Sequence, residues 1–150
     1  MPQSLAQVYL HIVFSTKYRE PFIQPQFRPD LYRYLAAVCS DKECRAVIVG
    51  GYSDHVHILC ELSRKVAIMD LVEAIKTYSS RWMKQRAPEL RNFYWQNGYA
   101  VFSVSKRAVQ GVVRYIERQE AHHSGSAYQV EMRSYFDQYQ IPYDERYVWD

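Results

Sequence analysis

Cysteine is scarce: Cys39, Cys44 and Cys60 are odd in number and lack any Cys-x-x-Cys spacing, which argues against a disulfide framework or a cysteine-built zinc knuckle. A reduced, cytoplasmic setting is expected. No apolar run approaches the roughly 20 residues that span a bilayer, and the opening Met1-Pro2-Gln3-Ser4-Leu5-Ala6-Gln7 has no basic segment leading into an apolar core, so no membrane partner and no export are expected. The chain also lacks internal repeats and low-complexity stretches. With 150 residues and 48% hydrophobic content, a single domain over residues 1–150 with a sizeable core is expected.

Charge is present but uneven. Of the net +3, residues 124–150 carry Arg133 and Arg146 against Glu131, Asp137, Asp144, Glu145 and Asp150, a balance of −3 that leaves +6 on the first 123 residues. The basic part is the part suited to nucleic acid.

Hydrophobic periodicity gives the element order. Leu5 to Phe14 alternates, with Val8, Leu10, Ile12 and Phe14 on one face and Tyr9, His11 and Val13 on the other, and predicts a first strand. Phe27 to Ser40 spaces Leu31, Tyr34, Leu35 and Val38 at helical intervals; Arg45 to Val49, ending in Gly50-Gly51, reads as a second strand and turn. A third strand runs through SDHVHILCEL from Ser53. Val66 to Arg86 predicts a long helix with the stripe Ile68, Leu71, Val72, Ile75, Tyr78 and Trp82, stopped before Pro88, and Gly98 to Val104 predicts a fourth strand. The order βαββαβ is that of an α+β, ferredoxin-like antiparallel sheet with two helices on one face and the other face open. Helices over Lys106 to about His122 and over 127–139 are expected to follow.

In the third strand Val56, Ile58, Cys60 and Leu62 share one face, and His55, His57, Leu59 and Glu61 share the other. Both imidazoles therefore point the same way, about 7 Å apart along the strand, close enough to converge on a small ion if another ligand arrives from elsewhere. A solvated polar face would give the same pattern. The helix after the fourth strand carries the stripe Val109, Val112, Val113 and Ile116, with Tyr115 and Gln119 one turn apart on its flank and Arg114 and Arg118 further round. His122 and His123 sit where that helix should end and suit its dipole; His11 reads as a satisfied sheet residue.

Taken together, HIVFSTKYR, SDHVHI, YWQNGYAVFSVS, RYIERQEAHH and PYDERYVWD resemble the small single-tyrosine transposases of bacterial insertion sequences, which belong to the HUH superfamily and include the REP-associated tyrosine transposases. The one departure noted, Gly98-Tyr99-Ala100-Val101-Phe102 where relatives often read GYGAF, concerns strand packing. The resemblance implies that His55 and His57 bind a metal, that Gln119 is its third ligand, that Tyr115 is the nucleophile and that the added C-terminal helix over Lys106 to about His122 is the catalytic one. It implies Mg2+ or Mn2+ as cofactor, single-stranded DNA with hairpins as partner, a 5′-phosphotyrosine intermediate, and a homodimer, since one tyrosine makes one covalent link at a time.

For DNA contacts the long helix offers Lys76, Ser79, Ser80, Arg81, Lys84 and Arg86, and the loop Lys17-Tyr18-Arg19 mixes charge with an aromatic. Other readings remain open at this level. An RNA-recognition-type module shares the βαββαβ order, and Asn97 to Phe102 echoes its signature, although on the fourth strand rather than the third. A hydrolase using activated water would need the metal but not Tyr115, and a domesticated nuclease acting on repeat hairpins would use the same residues as a mobile element.

Overall fold

The computed structural model describes residues 2–123 and 127–150. Strands β1 (Tyr9–Ser15), β2 (Ala46–Gly51), β3 (His55–Glu61) and β4 (Ala100–Val104) form one antiparallel sheet in the order β2-β3-β1-β4. Helices α1 (Arg28–Asp41) and α2 (Ile68–Lys84) supply the two crossovers. This is the expected α+β, ferredoxin-like arrangement. β1 begins later than the alternation from Leu5 suggested: its ladder with β3 reaches Tyr9 opposite Glu61 and closes with one further bond, from Leu62 N–H to the Val8 carbonyl at 2.7 Å.

One face of the sheet forms the main core. Leu10, Ile12 and Phe14 of β1 and Val56, Ile58 and Cys60 of β3 pack against Leu31, Leu35, Val38 and Cys39 of α1 and Leu71, Val72 and Ile75 of α2. Each buried aliphatic there contributes on the order of 1.5–3 kcal/mol. Asp70 in the first turn of α2 and Arg81 and Lys84 in its last turn complement the helix dipole.

The second face is not open. It is covered by α3 (Val109–Glu117), α4 (Gln119–His123) and α5 (Tyr128–Gln138). Val109 and Ile116 of α3 pack on Tyr9 and Leu59, while Tyr128, Met132 and Phe136 of α5 pack on Val13 and Phe102. His11, His55 and His57 lie between these two apolar clusters and are buried.

The helix expected over Lys106 to His122 is divided. A 3-10 turn, Lys106–Ala108, precedes α3, and Arg118 leaves helical geometry (φ −96, ψ 11) before α4 begins. The apolar stripe ends at Ile116, and the following Glu117-Arg118-Gln119-Glu120 offers no residue to extend it over the sheet. α4 is held separately: the buried Arg28 guanidinium donates to Glu120 at 2.8 Å and to the Ile23 carbonyl at 2.9 Å.

Gly50 of β2 sets the approach of α3. A Cβ there would lie 2.7 Å from Ile116 Cγ2 and 3.0 Å from the Ile116 carbonyl, next door to Tyr115. Gly50→Ala is expected to push α3 off the sheet and lower stability by about 1–3 kcal/mol. Gly111→Ala, with open space around its Cβ, should instead stabilise by roughly 0.5–1 kcal/mol through helix propensity. Urea titration of both variants checks the pair, and an unaffected Gly50→Ala would show that this contact does not seat the helix.

Candidate active site

The strand register brings the site together. Val13 pairs with His57 and Ser15 with His55, while His11 pairs with Leu59 and so stands diagonal to His57 on the same face. His11 Nε2 and His57 Nδ1 are 2.7 Å apart. His55 Nδ1 donates to Asp54 Oδ1 at 2.7 Å. Each histidine of the pair therefore has its Nδ1 engaged away from the site and its Nε2 turned toward a common point, the arrangement that orients imidazole ligands.

Three further elements deliver groups to that point. α3 places the half-buried Tyr115 with its ring centroid 5.7 Å from that of His57. α4 places Gln119 Oε1 3.0 Å from His55 Nε2. α5 places Glu131, 5% exposed, with Oε1 3.2 Å from His57 Nε2 and 3.5 Å from His55 Nε2. Glu131 Oε2 accepts hydrogen bonds from the Tyr115 hydroxyl and, at 3.0 Å, from Gln119 Nε2. Tyr128 covers His55, ring centroids 4.7 Å apart.

All four residues expected at the centre, His55, His57, Tyr115 and Gln119, thus meet within one chain. Gln119 is 1% exposed, so it fills an interior position rather than flanking a helix at no structural cost. His122 and His123 do more than complement a dipole: His123 Nε2 lies 3.1 Å and His122 Nε2 3.5 Å from the Glu131 carboxylate. Glu131 and Asp54 were not singled out from sequence. Asp54 directly precedes the first histidine of the motif, which was the available signal.

The donor set suits a divalent cation. Gln119 turns its amide N–H to Glu131, which leaves its oxygen facing His55 Nε2. With Nδ1–H serving Asp54, His55 turns Nε2 toward the oxygens of Gln119 and Glu131, which places one nitrogen and two oxygen ligand atoms around one point. Nitrogen and oxygen ligand atoms of His55, His57 and Glu131 lie within 4.8 Å of one another.

Burial drives the His57 imidazole down to about 4, against the opposing pull of Glu131, and burial together with His57 holds His11 well below its ordinary 6.5. Burial alone would raise Glu131, but hydrogen bonds from His123 and His57 hold its carboxyl far below the usual carboxylate range. Tyr115 is pushed well above an ordinary phenol, by burial first and then by the charge of Glu131.

Among the residues expected to contact DNA, Lys76 and Ser79 depart from expectation. The Lys76 ammonium donates to the carbonyls of Gln96, Asn97 and Gly98, and burial lowers its pKa to about 8. Ser79 is buried and accepts from Trp95 Nε1 at 2.9 Å. Both serve the loop before β4 and are removed from the DNA-contact set. Arg81 is exposed, and Lys84 bonds Ser80 Oγ at 2.6 Å and lies 4.1 Å over the Tyr94 ring. Arg19 lines a cavity of about 260 Å³ with Tyr52, Asp54, His123 and Tyr128, at the margin of the site. Beside it Lys17 lies 5.6 Å over the ring of Tyr18, which is 74% exposed; Tyr18 and Arg19 both have φ near +57. The sheet aromatic of the RNA-recognition echo, Phe102, is buried beneath Tyr135 and Tyr139 and offers no stacking surface.

A ferredoxin-like sheet that aims a histidine, hydrophobe, histidine strand at a tyrosine on a covering helix is the architecture of the HUH-type tyrosine transposases. The chain matches the family described as "Transposase IS200 like" over residues 4–119 and belongs to it. It is thereby a DNA transposase of insertion-sequence type. It is 26% identical over 118 residues to the ISDra2 transposase TnpA of Deinococcus radiodurans, covering 75% of this chain and 84% of that one. It is 28% identical over 114 residues to the transposase for insertion sequence element IS200 of Salmonella typhimurium, covering 73% and 74%. Among solved structures, a candidate transposase from Deinococcus radiodurans superposes with a TM-score of 0.62 at 24% identity, covering 79% of this chain and 98% of that one. A REP-associated tyrosine transposase bound to a REP hairpin superposes with a TM-score of 0.57 at 15% identity, covering 82% and 74%. These two likenesses concern the fold. No helix among the described residues is long and apolar enough to cross a membrane.

The buried imidazoles give stability a direction with pH. The unfolded chain takes up protons on these histidines below about 6.5, whereas folded His57 resists until about 4. The unfolded state therefore binds more protons in that window, and acidification destabilises the fold. The depressed Glu131 carboxyl carries the loss further below 4.5, in the same direction. The urea midpoint is expected to fall continuously from pH 6.5 to 4; a flat profile there would show that the imidazoles are not held neutral by burial.

Proposed function

We propose that this transposase cleaves and rejoins single-stranded DNA through a 5′-phosphotyrosine intermediate on Tyr115. The observation that supports it most is the convergence, within one chain, of the Tyr115 hydroxyl with the Nε2 atoms of His55 and His57 and the side-chain oxygen of Gln119. His55, His57 and Gln119 would hold Mg2+ or Mn2+, which when bound would neutralise a non-bridging phosphate oxygen and polarise the phosphorus.

Tyr115 Oη attacks phosphorus in line, the Oη–P bond forms and the P–O3′ bond breaks. The products are a 5′-phosphotyrosine and a free 3′-hydroxyl. The covalent link preserves the energy of a phosphodiester, so a 3′-hydroxyl can reverse the step and join a different strand without a nucleotide cofactor. Because each chain offers one Tyr115, exchange of two DNA ends calls for two chains, and a homodimer is the expected working form. Hairpin-bearing DNA is the proposed substrate, in keeping with the hairpin bound by the structural neighbour. The basic residues Lys17, Arg19, Arg81 and Lys84, with Ser80, would hold its backbone, and the exposed Tyr18 would stack on an unpaired base.

Covalent capture tests the reading. Incubating the protein with Mn2+ and a hairpin-bearing single strand, labelled 3′ of the cut, should give an adduct that survives denaturation, with the label attached at Tyr115. Tyr115→Phe keeps the ring against its neighbours and should give none. His57→Ala should lower cleavage on the order of a hundredfold while retaining hairpin binding, because the ion acts on the reacting phosphate. Cleavage with no adduct would identify water as the nucleophile and overturn the proposal.

A further inference from the structure

The family match ends at residue 119, yet the most enclosed charge in the site comes from beyond it, on α5. Glu131 Oε1 lies 3.1 Å from His123 Nε2, 3.2 Å from His57 Nε2 and 3.5 Å from His55 Nε2. Adjacent ligands of a six-coordinate ion with bonds of about 2.1 Å stand about 3.0 Å apart, and those of a tetrahedral ion about 3.4 Å apart. The separations between Glu131 Oε1 and the two motif histidines fall at that spacing, as does the 3.0 Å between His55 Nε2 and Gln119 Oε1.

Charge leads to the same place. His55, His57 and Gln119 are neutral as ligands, so a divalent ion held by them alone would keep its full charge in a pocket whose histidines are 0% exposed. A buried charge of that size needs an anionic partner. Glu131 is the carboxylate within reach of both histidines among the described residues.

We propose that Glu131 is a protein ligand of the same ion as His55, His57 and Gln119. It binds through Oε1, while its Oε2 accepts the Tyr115 hydroxyl and so ties the nucleophile to the ion. This rests on the metal-dependent reading above and adds a carboxylate ligand from outside the region that matches the family. It also raises the site's preference for a hard divalent cation, because carboxylate oxygen suits magnesium and manganese better than imidazole does.

The test is metal binding by the full chain without DNA. Free Mn2+, followed by its electron paramagnetic resonance signal, should titrate onto the wild-type protein, and His55→Ala should abolish tight binding. Glu131→Gln, isosteric and able to keep a contact with Gln119, should raise the Mn2+ dissociation constant about ten- to hundredfold. Wild-type affinity in Glu131→Gln, with binding lost in His55→Ala, would overturn this inference and leave the metal reading standing. No Mn2+ binding by the wild-type chain would overturn both. If Glu131→Gln does not fold, Glu131→Asp carries the test: a carboxylate withdrawn by one methylene should bind Mn2+ several-fold more weakly at a temperature where circular dichroism shows the variant folded, and unchanged affinity would refute the assignment.

Discussion

A carboxylate buried under a helix is tolerated only where other groups satisfy its oxygens with hydrogen bonds or charge. Glu131 meets that condition: His57 and His123 reach one oxygen, and Tyr115 and Gln119 reach the other. The demand is mutual. Without the carboxylate, the phenol, the amide and the imidazoles lose their acceptor. α5 is therefore more than a lid of apolar residues. Its apolar side, Tyr128, Met132 and Phe136, seats it on Val13 and Phe102, and Glu131 lies inside that contact, where the sheet supplies the imidazoles.

The sheet supplies them because of register. A shift of one residue between β1 and β3 would turn His55 and His57 toward α1 and α2 and bring Val56 and Ile58 out of the core, so the main core fixes which way the motif points. The diagonal placement of His11 then matters chemically. In this structure the Glu131 carboxylate accepts from His57 Nε2, so the neutral His57 ring takes its other hydrogen bond at Nδ1 from His11 Nε2. To present an Nε2 lone pair to an ion, His57 must carry its proton on Nδ1, and His11 Nε2 must then accept. An imidazole can serve in either direction by changing tautomer, which an amide or hydroxyl fixed by other contacts could not do as readily. Holding both rings neutral by burial keeps this exchange available near neutral pH.

Much of this was legible in the sequence, and the reasons differ by residue. Alternation in SDHVHILCEL put both histidines on one face, and the helical stripe Val109, Val112, Val113, Ile116 put Tyr115 beside the sheet; both are short-range patterns that tertiary packing kept. Gln119 came from resemblance, and its burial did not follow from periodicity, because the break at Arg118 sends α4 in a new direction. Glu131 was invisible for a different reason. It is one acidic residue in YQVEMRSYFDQ, a segment of net negative charge, and its partners lie 74 residues away on β3 and 16 away on α3. Lys76 looked like other basic residues of α2 until its three carbonyl partners in the 96–98 loop were placed around it.

The enclosure has a consequence for how DNA must be accommodated. On the proposed mechanism, a scissile phosphate would have to come within bonding distance of Tyr115 Oη while an oxygen of it met the metal position, yet in this structure the Glu131 carboxylate lies between the phenol and the two histidines. Phosphate and carboxylate are both anionic and compete for the same donors, so the two can share the site only with a cation between them. Substrate entry and ion occupancy are then coupled by charge: an anionic phosphate arriving at an ion-free site meets Glu131 as a repulsive neighbour. Where the cation is present, the phosphate sees a positive centre with a hydroxyl already aligned beside it. On the proposed reading, the residue that satisfies the site's own donors is thus the one that would repel the scissile phosphate unless a cation stood between them, while hairpin contacts elsewhere would be unaffected.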